Sequence, residues 1–258
     1  MSKTAAISLV TITRDCGAAL RETLESVASQ TCAPAEHIIV DGMSADGTLA
    51  LCREYAASVT YPVKIMSREP HGVYDALNCG ISASSGPVTG SLHGGDRFAG
   101  PTILETMSKT FESDPDLMLA YGDIRHTSRS GKPGAYYSGD GFRPGLLKWG
   151  FMPPHPSVYC RRELFERHGL YTTDFLVAGD FEWLARVLLK EGERSRYVPV
   201  CAVLMAPGGL SSRLRNRLLV TPREKVHALR RNGVRVCPLR MAARYVFAIT
   251  SIFKKRND

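Results

Sequence analysis

The sequence predicts an α/β protein whose central sheet is mostly parallel and flanked by helices, and three observations support this fold class. Short apolar runs alternate with helical stretches through residues 1–125, which is the pattern of successive βαβ units. The chain has 258 residues, of which 44% are hydrophobic, so it can bury one large core. Polar residues follow several of the apolar runs, at the positions where an open parallel sheet forms its ligand site.

The predicted elements of the first half alternate in order. Strands are predicted at residues 7–13, 36–41, 63–67, 88–93 and 117–122, because these runs are short and rich in β-forming residues. The helices between them are predicted at residues 18–30, 48–58, 74–84 and 101–112. In the first of these helices Leu20, Leu24 and Val27 recur at intervals of three and four residues, so one apolar face is expected to cover the sheet.

The second half is less regular. Residues 121–159 are rich in glycine, proline, serine and aromatic residues, and they include a turn at 130–134 between two short strands. A loop of this length usually has a functional reason. A regular pattern returns with a strand at 156–160, helices at 162–168 and 181–190, and a last strand at 197–205. We therefore predict one globular domain over residues 1–210.

The C-terminal segment 211–258 differs from the rest in its charge. It holds 13 of the 33 Lys and Arg residues but 2 of the 25 Asp and Glu residues, in a chain of formal net charge +8. It also contains an apolar stripe at helical spacing, formed by Leu239, Ala242, Val246, Ile249 and Phe253. The segment is too short and too charged to span a bilayer. We predict a basic amphipathic helical tail that either lies on an anionic membrane surface or packs on the body.

Composition also limits the compartment and the partners. The seven cysteines are scattered singly, which argues against a disulfide framework or a zinc cluster and favours a reducing cytoplasm. No apolar run follows a basic start at the N-terminus, so no secretory signal is expected. The arginine-rich segment lacks the interleaved aromatic residues of nucleic-acid binders, so nucleic acid is not expected as a partner.

Candidate binding residues lie at the ends of the first two predicted strands. Thr11, Thr13 and Arg14 end or follow the first strand, and Asp41 ends the second strand just before a glycine. The Asp41 carboxylate can accept hydrogen bonds from a planar base or a ribose diol, or it can form an Asx-turn between strand and helix. Asp46 is expected to cap the helix that follows.

Two segments resemble the donor site of a known family. Residues 38–48 (IIVDGMSADGT) and 69–81 (EPHGVYDALNCGI) are similar to segments of the family 2 inverting glycosyltransferases, which have the GT-A fold. The second segment resembles the colanic-acid and capsule branch of that family, and the likeness extends over about residues 5–212. The resemblance implies a nucleoside-diphosphate sugar, a UDP- or GDP-sugar above all, bound at the ends of these strands.

The resemblance also assigns roles within the second segment. Gly72 would let the backbone approach the nucleotide closely. Asp75 and Asn78 lie one helical turn apart and would reach the base and the ribose. Asp75 has an alternative role as a cap for the start of its helix. Together with Thr11, Thr13, Arg14 and Asp41, these residues form the predicted donor-binding set.

The segment His93-Gly94-Gly95-Asp96 resembles the family's metal-binding strand end but departs from its pattern. Gly95 stands where the family usually has another aspartate, so Asp96 is the carboxylate that remains. The resemblance implies Mn²⁺ or Mg²⁺ held by Asp96 together with donor phosphates and water, with Gly95 among the substrate contacts. His93 is a second ligand, a hydrogen-bond donor to the diphosphate, or a structural residue.

Residues 154–157 (PHPS) and 177–183 (VAGDFEW) resemble the acceptor half of the family. An inverting transfer needs one base within reach of the acceptor hydroxyl. The resemblance assigns that role to Asp180 and makes His155 a substrate-binding residue. Asp180 can also cap a helix that begins at the next residue. Trp183 either stacks on an acceptor sugar or fills the core.

These expectations define one functional hypothesis and one rival. Residues 1–125 are expected to bind the nucleotide sugar and residues 126–210 the acceptor, while residues 208–211 (GGLS) either close over the donor phosphates or form a solvated linker. We expect transfer of a hexosyl or deoxyhexosyl group to a glycan or lipid-linked acceptor in surface polysaccharide or glycolipid biosynthesis, at the inner face of the cell membrane. The rival is a non-catalytic relative that binds a nucleotide sugar or glycan as a partner protein.

Overall fold

The computed structural model describes residues 7–128, 131–209 and 214–237. One sheet of nine strands forms the centre of this described part. The strands are β1 (Ile7–Thr13), β2 (Glu36–Asp41), β3 (Val63–Ser67), β4 (Val88–Ser91), β5 (Arg97–Phe98), β6 (Leu119–Thr127), β7 (Pro133–Tyr137), β8 (Val158–Arg161) and β9 (Ser195–Met205). The α-helices are α1 (Gly17–Ala28), α2 (Thr48–Ser58), α3 (Val73–Ser82), α4 (Ile103–Glu112), α5 (Glu163–His168), α6 (Gly179–Leu184) and α7 (Thr221–Arg231).

The strands lie in the order β3-β2-β1-β4-β8-β6-β9-β5, and β7 pairs with β6. β1 is parallel to β2 and β4, and β2 is parallel to β3, so the first four strands form the parallel sheet that the βαβ pattern predicts. Thr13 pairs with Asp41, which pairs with Ser67, so the carboxyl ends of three strands lie level. This alignment brings the polar residues after each strand to one edge.

Beyond β4 the sheet is mixed. β8 is antiparallel to β4 and β6, β5 is antiparallel to β9, and β6 and β9 are parallel. Residue 130 of the turn predicted at 130–134 lies outside the described residues, while β7 is antiparallel to β6 and Ser128 N donates to Lys132 O at 2.9 Å. Short connections of this kind join antiparallel neighbours, since parallel strands need a long crossover. The second half therefore contributes antiparallel pairs that the βαβ pattern of the first half does not predict.

Both faces of the parallel part are covered by helices. Ile38 and Val40 of β2 pack in the same cluster as residues of α3, whereas Ile39 packs with residues of α1 and α2. Successive side chains of a strand point to opposite faces, and this is why β2 is buried along its whole length. At Gly80 in α3 a Cβ atom would lie 2.4 Å from a methyl carbon of Val10, so glycine lets this helix lie close against the sheet.

Two elements of the second half begin or end differently from the prediction. The strand expected from residue 156 begins at Val158, after a 3₁₀ turn at His155–Ser157. Pro156 lies in that turn and has no N–H to donate to a sheet. The helix expected at residues 181–190 is α6 followed by a π-helical turn at Ala185–Lys190.

The described part of the C-terminal segment packs on the body. A π-helical turn at Asn216–Val220 leads into α7. Ala228 and Leu229 of α7 are fully buried in the largest core cluster. The Lys225 side chain is also buried, and its ammonium donates to Gly150 O at 2.7 Å. The packed body thus continues past the boundary expected at residue 210, and the predicted tail does not begin there.

The apolar stripe predicted at residues 239–253 lies outside the described residues, so its two alternative roles stay predictions. Within residues 7–128, 131–209 and 214–237, no helix has both the length and the apolar character needed to cross a membrane.

Candidate active site

A cavity of about 850 Å³ opens at the carboxyl ends of the parallel strands β1 to β4. An open parallel sheet holds its ligand at this edge, and ligand sites have volumes of roughly 300–1,000 Å³. Nine of the predicted site residues line the cavity: Thr13, Arg14, Asp41, Gly72, Asp75, Gly95, Asp96, His155 and Asp180. The cavity therefore joins residues from both parts of the domain, 1–125 and 126–210.

Thr11 and Asn78 do not line this cavity, and their predicted donor contacts are corrected. Thr11 is fully buried in the sheet, with Oγ1 2.8 Å from Nε2 of His37. Asn78 donates from Nδ2 to Tyr171 O at 2.7 Å and accepts from Tyr171 N at 3.0 Å. Asn78 lies only about 60° around the helix from Asp75, but the backbone of Tyr171 binds its side chain, whereas Asp75 lines the cavity.

Asp41 lies at the cavity wall, but its carboxylate is occupied by neighbouring groups of the protein. It accepts hydrogen bonds from Ser44 N at 3.0 Å, from Ser44 Oγ at 2.5 Å and from Ser67 Oγ at 3.1 Å, and it is fully buried. Asp41 therefore holds the loop after β2 through Ser44, three residues further on. Asp46 accepts from Thr48 N at 2.9 Å and so binds the first N–H of α2, although Gly47 occupies the N-cap position.

Two arginines line the cavity near the ends of β1 and β3, and each lies beside an aspartate, Arg14 beside Asp15 and Arg68 beside Asp75. Arg14 follows β1, and 61% of its side chain is exposed. Arg68 follows β3 and forms an ion pair with Asp75, with 3.0 Å between Nη2 and Oδ2. Gly72 precedes α3 with φ +111°, and no described atom lies within 4 Å of the place where its Cβ would be. Guanidinium groups beside an open backbone suit an anionic ligand such as a diphosphate.

Gly95 and Asp96 lie in the loop between β4 and β5 and line the cavity. Asp96 is 7% exposed, and its Oδ1 accepts a hydrogen bond from Ala206 N at 2.9 Å. Burial raises the pKa of Asp96 to about 6, which outweighs the opposite effect of that hydrogen bond. Gly95 has φ +99° and donates its N–H to Thr23 Oγ1 at 2.9 Å, so its conformation favours glycine over the aspartate usual in the family.

His93 and His155 face each other beside Asp96. Their rings are stacked, with centroids 6.4 Å apart and planes 15° apart, and His155 Nε2 is 3.0 Å from Tyr171 Oη. Burial lowers the pKa of His93 to about 4, with a smaller contribution from His155, and burial also lowers the pKa of His155. His93 Nδ1 is buried without a hydrogen-bond partner among the described residues. A neutral imidazole with an unpartnered nitrogen suits a metal ligand or a ligand hydrogen bond.

Asp180 lies in the first turn of α6, at the wall of the cavity. Its Oδ1 accepts from Phe181 N at 2.7 Å and lies 3.3 Å from Tyr74 Oη, which also donates to Val177 O at 2.6 Å. Since α6 begins at Gly179, Asp180 is inside the helix and is not the residue that precedes it. The positive end of the helix dipole stabilises a carboxylate at this position.

Trp183 fills the core. It is fully buried and stacks on Phe165 with ring centroids 4.7 Å apart, and its indole N–H donates to Gly169 O at 3.1 Å. The core alternative for Trp183 is therefore confirmed, and an acceptor platform must come from elsewhere.

Three residues of the site region were missed by sequence reasoning. Arg68 and Tyr74 line the cavity, and both stood within or beside the quoted donor motif, which was the available signal. Glu224 of α7 binds the loop before Asp180. No sequence signal pointed to Glu224, because its segment reads as a charged tail.

The chain matches the profile of the family described as Glycosyl transferase family 2 over residues 8–166, and it therefore belongs to that family. The PGL/p-HBAD biosynthesis glycosyltransferase of Mycobacterium tuberculosis (strain ATCC 25177 / H37Ra) is 28% identical over 207 residues, 80% of this chain and 78% of that protein. The O-antigen biosynthesis protein RfbC of Myxococcus xanthus is 31% identical over 172 residues, 66% of this chain and 13% of that protein. The predicted membership in family 2 is confirmed.

Solved structures share the fold. S. aureus TarS 1-349 in complex with UDP-GlcNAc superposes with a TM-score of 0.68 at 14% identity, over 88% of this chain and 65% of that one. The mannosyltransferase PcManGT from Pyrobaculum calidifontis, in complex with GDP-Man and Mn²⁺, superposes with a TM-score of 0.59 at 15% identity, over 98% of this chain and 82% of that one. The chain thus spans about 65% of the TarS fragment, and the predicted GT-A fold is confirmed.

Proposed function

We propose that this protein is an inverting glycosyltransferase that moves one sugar from a UDP- or GDP-sugar to a hydroxyl of a glycan or lipid-linked acceptor. The observation that carries the proposal is that one cavity is lined both by Asp96, in the loop between β4 and β5, and by Asp180, in α6. The first carboxylate suits the diphosphate end of a donor, and the second suits a base. The donors named in the two solved structures, UDP-GlcNAc and GDP-Man, support this donor class.

In the proposed transfer, Asp180 accepts the proton of the acceptor hydroxyl while that oxygen forms a bond to the anomeric carbon. The bond between this carbon and the diphosphate oxygen breaks, and the diphosphate leaves with the electron pair. A single displacement from the opposite face inverts the configuration, and one carboxylate suffices because no glycosyl-enzyme forms. The Tyr74 hydroxyl, 3.3 Å from Asp180 Oδ1, helps to orient the base.

The leaving diphosphate gains negative charge during this step. Arg14 and Arg68 line the donor side of the cavity and would interact with that charge. Gly208 and Gly209 also line the cavity, which supports a role of this loop in closing over the donor.

We propose Mn²⁺ or Mg²⁺ at Asp96. The protein offers sparse ligation, because the described residues contain no group of three or more His, Cys, Asp and Glu side chains suited to a metal. The Asp96 carboxylate and the unpartnered His93 Nδ1 are the groups that fit, with the remaining positions left to phosphate and water. A bound divalent ion would neutralise charge on the diphosphate, and Mn²⁺ in the related mannosyltransferase supports this assignment.

We place the reaction in surface polysaccharide or glycolipid biosynthesis at the cytoplasmic face of the membrane. The names of the PGL/p-HBAD and O-antigen relatives support this assignment. The basic charge of residues 211–258 supports attraction to anionic lipid headgroups, where a lipid-linked acceptor would be found.

The first experiment is thermal stabilisation of the protein by UDP-, GDP- and dTDP-sugars, each with and without Mn²⁺. A shift for one nucleotide that requires the metal is expected, and Asp96→Ala should weaken it. Asp180→Asn should abolish transfer and leave donor binding nearly intact, whereas Asp116→Asn, at a carboxylate exposed by 88%, is the matched control and should stay active. No shift with any donor, together with no transfer, would contradict the proposed function.

A further inference from the structure

One carboxylate of the C-terminal segment holds the loop that leads into α6. Glu224 Oε1 accepts the N–H of Leu176 at 2.8 Å. Its Oε2 accepts the N–H of Val177 at 2.9 Å and that of Ala178 at 2.8 Å. Three consecutive backbone donors therefore converge on a single side chain from α7, 46 to 48 residues away in sequence.

The loop bound by Glu224 is part of the cavity wall. Leu176 and Val177 line the cavity together with Asp180, whereas Glu224 is not among the lining residues. Ala178 precedes the first residue of α6, and its carbonyl accepts the Glu182 N–H at 2.9 Å, so it begins the hydrogen bonding of that helix. The position of the loop thus decides where α6 starts and where Asp180 stands.

The opposite side of the loop is held by α3. The Tyr74 hydroxyl donates to Val177 O at 2.6 Å, while Glu224 accepts from the N–H groups of the same loop. The two sides use complementary groups, since a carboxylate accepts and a phenol donates. Glu224 accepts three N–H groups of the loop, whereas Tyr74 donates to one carbonyl, so Glu224 makes the larger share of these contacts.

The docking of α7 does not depend on Glu224 alone. Ala228 and Leu229 are fully buried in the core, and the Lys225 ammonium lies 4.6 Å from the ring centroid of Phe181. Arg231 forms a further ion pair with Asp174 at 2.8 Å. Removing the Glu224 acceptor should therefore release the loop while the helix keeps its place.

We propose that Glu224 is a positioning residue for Asp180: it fixes the backbone at residues 176–178 so that the base reaches the acceptor hydroxyl. This inference rests on the proposed role of Asp180 as the base. It adds a residue outside the cavity to the catalytic apparatus and gives α7 a part in the reaction. Misplacing a reacting group by about 1 Å costs on the order of 10²-fold in rate, which sets the scale of the expected effect.

The test uses Glu224→Gln in the full chain. Glutamine keeps one acceptor oxygen and puts an NH₂ group in place of the other, so at least one of the three N–H groups loses its acceptor and faces a donor. We expect kcat to fall by about 10- to 100-fold while donor binding is unchanged. Arg231→Gln is the matched control, because it removes an exposed ion pair of the same helix and leaves the loop contacts in place; its kcat should stay close to that of the wild type.

Amide hydrogen exchange reports the contact directly. In Glu224→Gln the amides of Leu176, Val177 and Ala178 should exchange faster, with no change in α1 or α4. If Glu224→Gln shows no cooperative thermal unfolding, Glu224→Asp permits the same comparison. Aspartate keeps the carboxylate, but its side chain is one methylene shorter, so the acceptor oxygens lie further from the loop. Unchanged exchange at these amides would overturn the proposed contact.

A double-mutant comparison separates positioning from a general loss of stability. If Glu224 acts through the base, Glu224→Gln should lower the residual kcat of Asp180→Asn no further, because the group that it positions is gone. Multiplied losses would show a merely structural role and overturn the proposal. Wild-type activity of Glu224→Gln beside an inactive Asp180→Asn overturns the positioning alone. Full activity of Asp180→Asn overturns the base and its positioning together.

Discussion

Acidification from pH 7 to pH 5 should destabilise the protein through His37. This residue is fully buried in β2, with Nε2 2.8 Å from Thr11 Oγ1 and Nδ1 2.9 Å from Tyr55 Oη. Burial lowers the pKa of His37 to about 3, from an ordinary value near 6.5. The two hydroxyl contacts satisfy a neutral ring, and no carboxylate contacts it among the hydrogen bonds of the described residues to offset a charge.

The sign and size of the effect follow from these two pKa values. Between pH 6.5 and pH 3 the unfolded chain binds a proton at this histidine and the folded protein does not, so the free energy of unfolding decreases as the pH falls. The loss attributable to His37 between pH 7 and pH 5 is about 2 kcal/mol, and it approaches about 5 kcal/mol near pH 3.

The assay is urea unfolding of the wild type and His37→Gln at both pH values. Glutamine offers a donor and an acceptor but does not titrate, so the variant should lose about 2 kcal/mol less than the wild type on acidification. The comparison cancels other groups, including Asp96, whose raised pKa of about 6 stabilises the folded state as the pH falls through that value. An equal loss in both proteins would show that His37 does not cause the loss of stability.

Three further predictions concern packing, the base and the tail. Gly90→Ala should destabilise the protein by about 1–3 kcal/mol in urea unfolding, because the added Cβ would lie 2.3 Å from a ring carbon of Tyr159 in the neighbouring strand. Gly100→Ala is the control: it has open space around the added Cβ and should change the free energy of unfolding by under about 0.5 kcal/mol. Tyr74→Phe should lower kcat about tenfold with donor binding unchanged, since it removes the hydroxyl beside Asp180; an unchanged kcat would contradict this role. Truncation after Cys237 keeps α7 and should preserve transfer to a soluble acceptor but abolish binding to anionic vesicles; retained vesicle binding would contradict the membrane role of the tail.

The parallel half of the fold and its polar edge are predictable from sequence because their interactions are local and periodic. β2 contains the apolar run Ile38–Val40 just before Asp41, and a strand with such a run is buried on both faces. In the structure, the parallel register aligns Thr13, Asp41 and Ser67 at this edge, as expected for strands that end level. The role of Asp180 as a base was predicted from the resemblance to family 2. The helical pattern alone does not distinguish a catalytic base from an ordinary acidic residue in the first turn of a helix.

The failures arise where a polar side chain binds the protein itself. Thr11 and Asn78 have the residue types and positions of ligand contacts, yet His37 and the backbone of Tyr171 occupy them. Sequence spacing gives the face of a helix but not the neighbour that covers it. Glu224 was missed for the same reason, since its partners are backbone N–H groups, which carry no residue signature.

The C-terminal segment shows why net charge alone overstates attraction to a membrane. Its 13 basic residues include Lys225, whose ammonium is buried against Gly150 O, and Arg231, which is paired with Asp174. Such groups cannot contribute the roughly 1 kcal/mol that each basic residue near an anionic surface supplies. Of the eleven other basic residues of the segment, six lie in residues 211–237 and five in residues 238–258. α7 holds the Asp180 loop through Glu224, and the truncation after Cys237 tests only the share of membrane attraction that the last five basic residues would supply.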